Sequence, residues 1–225
     1  MKGLFITATG TEIGKTMITA SLCHQMRQAG KAAAALKPII SGIDEANMIG
    51  TDTAIIAESL GLELTAATLE AISPYRYKAP LAPSMAAKLE GKSLDYQALL
   101  RTCRAALEAN PFSLIEGVGG SFVPLTDKKL VANWIADLGL ASVVVAGSYL
   151  GTLSHITATL EAMQARSLSV AAVVVSESAG KDHPDFAETV RQARTWTDVP
   201  VIALPRIAGE APWRRAPDLL GILGL

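Results

Sequence analysis

Aromatic residues make up only 5% of this 225-residue chain, so large rings cannot supply most of its core. It has two cysteines, Cys23 and Cys103, far apart and inside helix-compatible stretches. No Cys-x-x-Cys pair or Cys/His cluster accompanies them, which excludes a zinc finger or a disulfide framework and leaves two reduced core thiols. Charge is scarce as well: 18% of residues are charged and the formal net charge is −1. That balance lacks the basic footprint of a polyanion binder, so no nucleic-acid partner is expected. No apolar run reaches the length of a membrane span. The apolar N-terminus is too short for a signal peptide and reads as an early strand. The expectation is a cytoplasmic protein with neither a membrane nor a nucleic-acid partner.

Half the residues are hydrophobic, and with aromatics rare, Ala, Val, Leu and Ile must form the core. Apolar runs at 3–7, 32–36, 112–115, 141–146, 170–175 and 199–204 read as strands buried on both faces. Helical stretches at 17–29, 51–60, 95–109, 131–138, 153–166 and 185–195 separate them. Alternating β and α predicts an α/β fold, one domain over residues 1–225, with a doubly wound, mostly parallel sheet and helices on both faces. The stretch holding Pro74, Pro80 and Pro83 reads as a surface loop, because proline breaks regular structure. The tail, with Pro205, Pro212 and Pro217, is expected to wrap the surface before a short last helix.

The first strand feeds into Ala8-Thr9-Gly10-Thr11-Glu12-Ile13-Gly14-Lys15-Thr16 and then a helix. Strand, glycine-bearing loop, Gly-Lys-Thr and helix in that order predict a phosphate-binding loop of the P-loop type. Small residues let backbone N–H groups converge on phosphate, and the helix N-terminus adds partial positive charge. Lys15 would neutralise β/γ-phosphate charge, and the Thr16 hydroxyl would ligate Mg²⁺. The usual spacing puts a glycine five residues before Gly14, where Thr9 stands.

Ligands in such sheets bind beyond the carboxyl ends of strands, and further polar residues fall there. Lys37 follows the second strand, within Lys37-Pro38-Ile39-Ile40-Ser41-Gly42; taken alone it could be an exposed lysine. Asp52 could be a helix N-cap. Glu116, after an apolar strand and before Gly117-Val118-Gly119-Gly120, reads as a metal-side acid, since Mg²⁺ on phosphates takes one or two carboxylates. A second glycine-bearing turn, Leu150-Gly151-Thr152-Leu153-Ser154-His155, opens a later helix.

Together these segments, in this order, resemble the dethiobiotin synthetase family, over about residues 4–204. The resemblance implies a P-loop fold and ureido-ring closure on 7,8-diaminononanoate with CO₂, ATP and Mg²⁺ as reactants and cofactors. It places Thr11, Lys15, Lys37 and Ser41 in catalysis and Glu12, Ile13, Gly14, Lys15, Thr16, Met17 and Ser176 on the nucleotide. Thr16, Asp52 and Glu116 would surround the metal. It further implies a homodimer in which Gly151, Thr152, Leu153 and Ser154 of the neighbouring subunit bind the substrate carboxylate, with Thr152 and Ser154 adding hydroxyls and His155 facing the interface. The chain departs from the family at Ala8, where a glycine is usual, at Gly10, commonly an acid or glycine, and at Ser176, where an asparagine often reads adenine. Two other classes share the first motif: an amidoligase or partitioning-type ATPase, and a non-enzymatic nucleotide switch. No Ser/His/Asp constellation is visible among the three histidines.

Overall fold

A computed structural model describes residues 2–180 and 183–225. Six parallel strands form the central sheet in the order β2-β5-β1-β6-β7-β8. They are β1 (Gly3–Ala8), β2 (Ala34–Leu36), β5 (Ser113–Glu116), β6 (Ala141–Gly147), β7 (Val170–Ser176) and β8 (Val201–Leu204). Alternation along each strand sends neighbouring side chains to opposite faces. Leu4 and Ile6 of β1, Val143 and Val145 of β6 and Val174 of β7 pack on one face. Phe5, Val144, Val173 and Val175 pack on the other.

Each face is covered by its own helices. On the first, α1 (Lys15–Gln28) contributes Ile18 and Leu22, and α2 (Asp52–Leu60) contributes Ile56. On the second lie α5 (Tyr96–Ala109), α6 (Val131–Leu138), α7 (Thr152–Gln164) and α8 (Phe186–Thr195), bringing Leu99, Trp134, Ile156 and Val190. Phe5 and Trp134 meet edge to face at 4.9 Å, a favoured geometry for two rings. Aliphatic side chains supply most of the rest of both faces.

The proline-rich stretch is not the loop that its composition predicts. Tyr75–Tyr77 form β4, which pairs in parallel with β3 (Ile39–Ser41). Pro83 starts α4 (Pro83–Leu89) at its first turn, where a missing N–H costs nothing and the fixed φ suits a helix. A short α3 (Ala66–Ile72), capped by Thr65, precedes β4. The β3–β4 pair carries Ser41 beside the C-terminal end of the main sheet, and the Pro80–Pro83 turn forms one wall of the cleft there. After β8 the tail makes a 3-10 turn at Pro212–Arg215 and a last short helix, α9 (Leu219–Ile222), both against α1.

Candidate active site

The loop after β1 needs left-handed backbone at two places, Glu12 (φ 57°) and Gly14 (φ 103°). Ala8 lies inside β1, and Thr9 and Gly10 stay outside the left-handed region. Alanine at 8 and threonine at 9 therefore cost the backbone nothing, and the strained position is Glu12, at about 1–3 kcal/mol for a non-glycine residue. The opposite loop makes room: a Cβ on Gly120 would stand 3.3 Å from the Ala8 carbonyl oxygen and the Gly10 nitrogen. Gly14 occupies the N-cap of α1 without a side-chain cap, and no acid sits in the first turn. The helix's first N–H groups and positive end are left for an anion.

Below this loop, one carboxylate gathers three donors. Glu116 ends β5 with no exposed surface. Its Oε1 accepts from Thr16 Oγ1 at 2.7 Å and from Lys37 Nζ at 2.6 Å, and its Oε2 accepts from Thr19 Oγ1 at 2.6 Å. Lys37 Nζ also contacts Asp52 Oδ2 at 2.7 Å. Asp52 is free for this because Thr51, not Asp52, caps α2, its hydroxyl accepting from the Ala54 N–H. Both carboxylates therefore share one buried ammonium. Burial alone would pull the Lys37 pKa down, but contact with Glu116 and Asp52 reverses that and holds it above the usual lysine range. Burial pushes Asp52 upward, and Lys37 outweighs it and holds the carboxyl below its ordinary value. Lys15 has no such pairing. Burial, and then the nearby Lys37 charge, bring its pKa down to about 8 against the partial opposition of Glu116 and Asp52. A buried lysine at a helix N-terminus suits an anion, whose charge would offset its own.

Comparison with known proteins fits this arrangement. The AAA domain family model matches residues 2–209. The chain is 41% identical over 219 residues to the ATP-dependent dethiobiotin synthetase BioD of Phenylobacterium zucineum (strain HLK1), covering 96% of this chain and 93% of that protein. It is 41% identical over 209 residues to the ATP-dependent dethiobiotin synthetase BioD of Caulobacter vibrioides (strain NA1000 / CB15N), covering 92% and 93%. The chain belongs to the ATP-dependent dethiobiotin synthetase family. Among solved structures, a ParA family ATPase from Chlorobium tepidum TLS superposes with a TM-score of 0.56 at 13% identity, covering 99% of this chain and 93% of that one. The MinC:MinD complex of Aquifex aeolicus gives 0.56 at 11%, covering 99% and 85%. At such identity these two show the fold alone, a P-loop nucleotide-hydrolase-like α/β sheet.

For this dethiobiotin synthetase family member, most residues picked out by sequence meet in one place. Thr11, Glu12, Ile13, Gly14, Lys15, Thr16, Lys37, Ser41 and Asp52 line a single cavity of about 550 Å³. Its lining also includes apolar Ile40, Leu81, Pro83, Val118 and Val123. Met17 turns its side chain to the core beneath, which leaves only its backbone for a ligand. Ser176 ends β7 behind the loop, where a Cβ on Gly14 would stand 3.1 Å from its hydroxyl. Ser176 is thus a neighbour of the phosphate loop, outside the cavity lining.

The turn before α7 lies outside that lining too, and one reading of it is corrected. Thr152 is buried, and its hydroxyl donates to the Gly147 carbonyl at 2.6 Å while its N–H donates to Tyr149. It has no donor left for a substrate. Gly151 caps the helix without a side chain, and Ser154 and His155 are exposed. The His155 Nδ1 pairs with the Tyr149 hydroxyl at 2.8 Å. Sequence reading missed Thr19, although it stands three residues after Thr16 and so on the same helix face. It also missed the buried Thr7–Ser121 hydroxyl pair at 3.0 Å, which ties β1 to the glycine-rich turn together with a Ser121 bond to the Ala8 carbonyl.

Proposed function

We propose that this chain converts 7,8-diaminononanoate, CO₂ and ATP to dethiobiotin, ADP and phosphate, with Mg²⁺ as cofactor. The observation that carries the reading is one cavity whose lining combines a charged set, Lys15, Thr16, Lys37 and Asp52, beside buried Glu116, with an apolar set. The first suits a phosphoryl group, and the second suits the methylenes of a long diamino acid. One substrate amine adds to CO₂ and loses a proton, giving a carbamate. A carbamate oxygen attacks the γ-phosphorus, ADP leaves, and a carbamic-phosphoric anhydride remains. The second amine attacks the carbonyl carbon, phosphate departs with the C–O bond, and a proton is lost as the ring closes.

The residues fit a hard dication. Thr16, Asp52 and Glu116 offer one hydroxyl and two carboxylates, all oxygen donors, and Lys37 already holds both carboxylates on one cation. When bound there, Mg²⁺ would neutralise phosphate charge. The protein's own part is positioning and electrostatics. Gly14 and the loop N–H groups orient the phosphates, with Glu12, Ile13 and Met17 contributing backbone. Lys15 supplies charge at the β/γ-phosphates, and Thr11, Lys37 and Ser41 face the carbamate as its charge moves to phosphorus. We place the substrate carboxylate on Gly151, Leu153 and Ser154 of a neighbouring copy in a cytoplasmic homodimer. Among the described residues no helix is long and apolar enough to cross a membrane. The test is ADP release measured with diaminononanoate and bicarbonate supplied together and singly. Release that needs both supports the reading, and release indifferent to the diamine, as from a partitioning-type ATPase or a nucleotide switch, sinks it.

A further inference from the structure

Part of the cavity lining comes from a segment with no strand or helix of its own. Residues 78–82 run from the end of β4 to the start of α4, and Pro80, Leu81, Ala82 and Pro83 line the cavity. Proline brings no N–H, so this segment has few backbone donors with which to fix itself. Two of them, the N–H groups of Lys78 and Ala79, donate to one oxygen of Glu90, at 2.6 Å and 3.4 Å. Glu90 stands at the far end of α4 as its C-cap, outside the cavity lining. Its other oxygen accepts from Lys92 Nζ at 2.7 Å, and that ammonium lies 5.8 Å from the centre of the Tyr77 ring. Lys92 draws the Glu90 carboxyl below its ordinary value, desolvation opposes this, and the two N–H groups add to the lowering.

Ala79 passes this anchor on. Its carbonyl accepts from the Leu81 N–H at 2.9 Å and from the Gly42 N–H at 3.2 Å. Gly42 directly follows Ser41, and a Cβ on it would stand 3.0 Å from the Pro80 Cβ. The carboxylate therefore holds the place where Ser41 and the Pro80–Pro83 turn meet. Lys92 is more than half exposed, and an ion pair of that kind adds little to stability. Placement is what the contact supplies. We propose that Glu90 is a positioning residue for the diamine: through the Lys78 and Ala79 N–H groups it sets where Ser41 and the Pro80–Pro83 turn stand in the cavity. This rests on the reading above, in which the apolar part of the lining takes the substrate's methylenes. Nucleotide affinity belongs to the loop after β1 and should not depend on Glu90.

The experiment is calorimetric titration of 7,8-diaminononanoate into the protein saturated with a non-hydrolysable ATP analogue, and separately of that analogue into the free protein. For Glu90→Ala the expected result is diamine affinity about tenfold weaker, inside the roughly hundredfold that a misplacement of about 1 Å can cost. Affinity for the analogue and the melting temperature should stay close to wild type. Glu90→Gln keeps an oxygen for the two N–H groups and should retain most of the diamine affinity. Lys92→Met spares the carboxylate and should do the same. Wild-type diamine affinity in Glu90→Ala overturns the proposal. So does an equal loss of affinity for the ATP analogue, which would mean general damage. A Lys92→Met protein as impaired as the alanine variant also overturns it, because the ion pair would then be the cause. Should Glu90→Ala fail to fold by circular dichroism, Glu90→Met, of similar length but without an oxygen, carries the same comparison. If the wild-type protein binds no diamine, the reading of the cavity is wrong and the Glu90 proposal goes with it. If it binds the diamine and Glu90→Ala binds it equally, only Glu90 was misread.

Discussion

Helices α1 and α7 both follow parallel strands of the central sheet, and both start from a glycine in the left-handed region, Gly14 at φ 103° and Gly151 at φ 94°. Neither start has a side-chain cap, and neither first turn holds an acid. The backbone offers an anion nearly the same thing twice, except that at α7 the Thr152 N–H is spent on the Tyr149 carbonyl. What surrounds the two ends is not the same. Around α1 stand Lys15, Lys37, Asp52 and Glu116, paired or buried. Around α7 there is an exposed Leu150, an exposed Ser154 and the Tyr149–His155 pair, and no lysine or arginine between residues 147 and 160. A helix terminus alone makes a weak anion site, and chemistry needs the charges beside it. In this reading the first terminus binds a polyphosphate and moves a phosphoryl group, while the second holds one carboxylate.

The comparison breaks most easily at Lys15. Lys15→Ala should lower turnover on the order of a thousandfold, the scale for losing one preorganised transition-state contact, with the fold intact by circular dichroism. A well-folded Lys15→Ala protein with wild-type ADP formation would remove the reason for treating the two termini differently.

At α7 the expected loss is smaller and depends on the partner. Ser154→Glu puts a carboxylate in the helix's first turn, where the dipole stabilises it by about 0.3–1 kcal/mol, so melting should be unchanged or slightly later. The same charge repels a substrate carboxylate, so KM for the diamine should rise roughly tenfold, a cost of about 1.4 kcal/mol, with little change in KM for ATP. Mixing this variant with inactive Lys15→Ala and allowing subunits to exchange should bring back a wild-type KM for the diamine at one composite site per heterodimer. A protein that stays monomeric under assay conditions, or shows no recovery after proven exchange, would refute the shared site.

Much of this contrast was legible in the sequence. The aliphatic strands declare themselves because a parallel sheet buried on both faces leaves them almost no polar residue, and a Glu or Lys just past such a strand stands out. The strands β3 and β4 did not, since each is three residues long and sits beside a proline (Pro38, Pro74) that reads as a break. Pro83 was read as a breaker because sequence does not say that it is the first residue of a helix. Asp52 looked like a cap because aspartate is the better-ranked N-cap of the two, and only the fold shows Thr51 doing so. Thr19 escaped because a helical threonine is usually satisfied by its own backbone. Its partner lies 97 residues away, a distance that no local pattern spans.

A finer difference between the termini is protonation. Lys15 has its folded pKa near 8 against an ordinary 10.5, so between those values the unfolded chain binds more protons. Lys15 therefore costs the nucleotide-free protein stability below about pH 8, and that cost fades as pH rises toward 10.5. A phosphate beside it favours the charged form and raises its pKa. ADP binding at pH 8 should then take up about half a proton, seen in calorimetry as a heat that depends on the buffer's ionisation enthalpy. Lys15→Ala should abolish that dependence, and a buffer-independent heat in the wild type would mean that Lys15 is already charged.

The smallest effect expected is on the base. Ser176 ends β7 against Gly14, with one hydroxyl where an amide would offer both donor and acceptor. A single hydroxyl can serve either the 6-amino group of adenine or the 6-oxo group of guanine, so it discriminates poorly. Specificity constants for ATP, GTP and CTP should fall within about tenfold of one another, a spread near 1.4 kcal/mol. Ser176→Asn should widen that spread in favour of ATP, provided the larger side chain clears Gly14, which Mg²⁺-independent ADP binding by the variant can check. Strong ATP preference in the wild type would show that backbone groups near the end of β7, rather than this side chain, read the base. The first helix terminus would then owe both its charge and its selectivity to the chain around it.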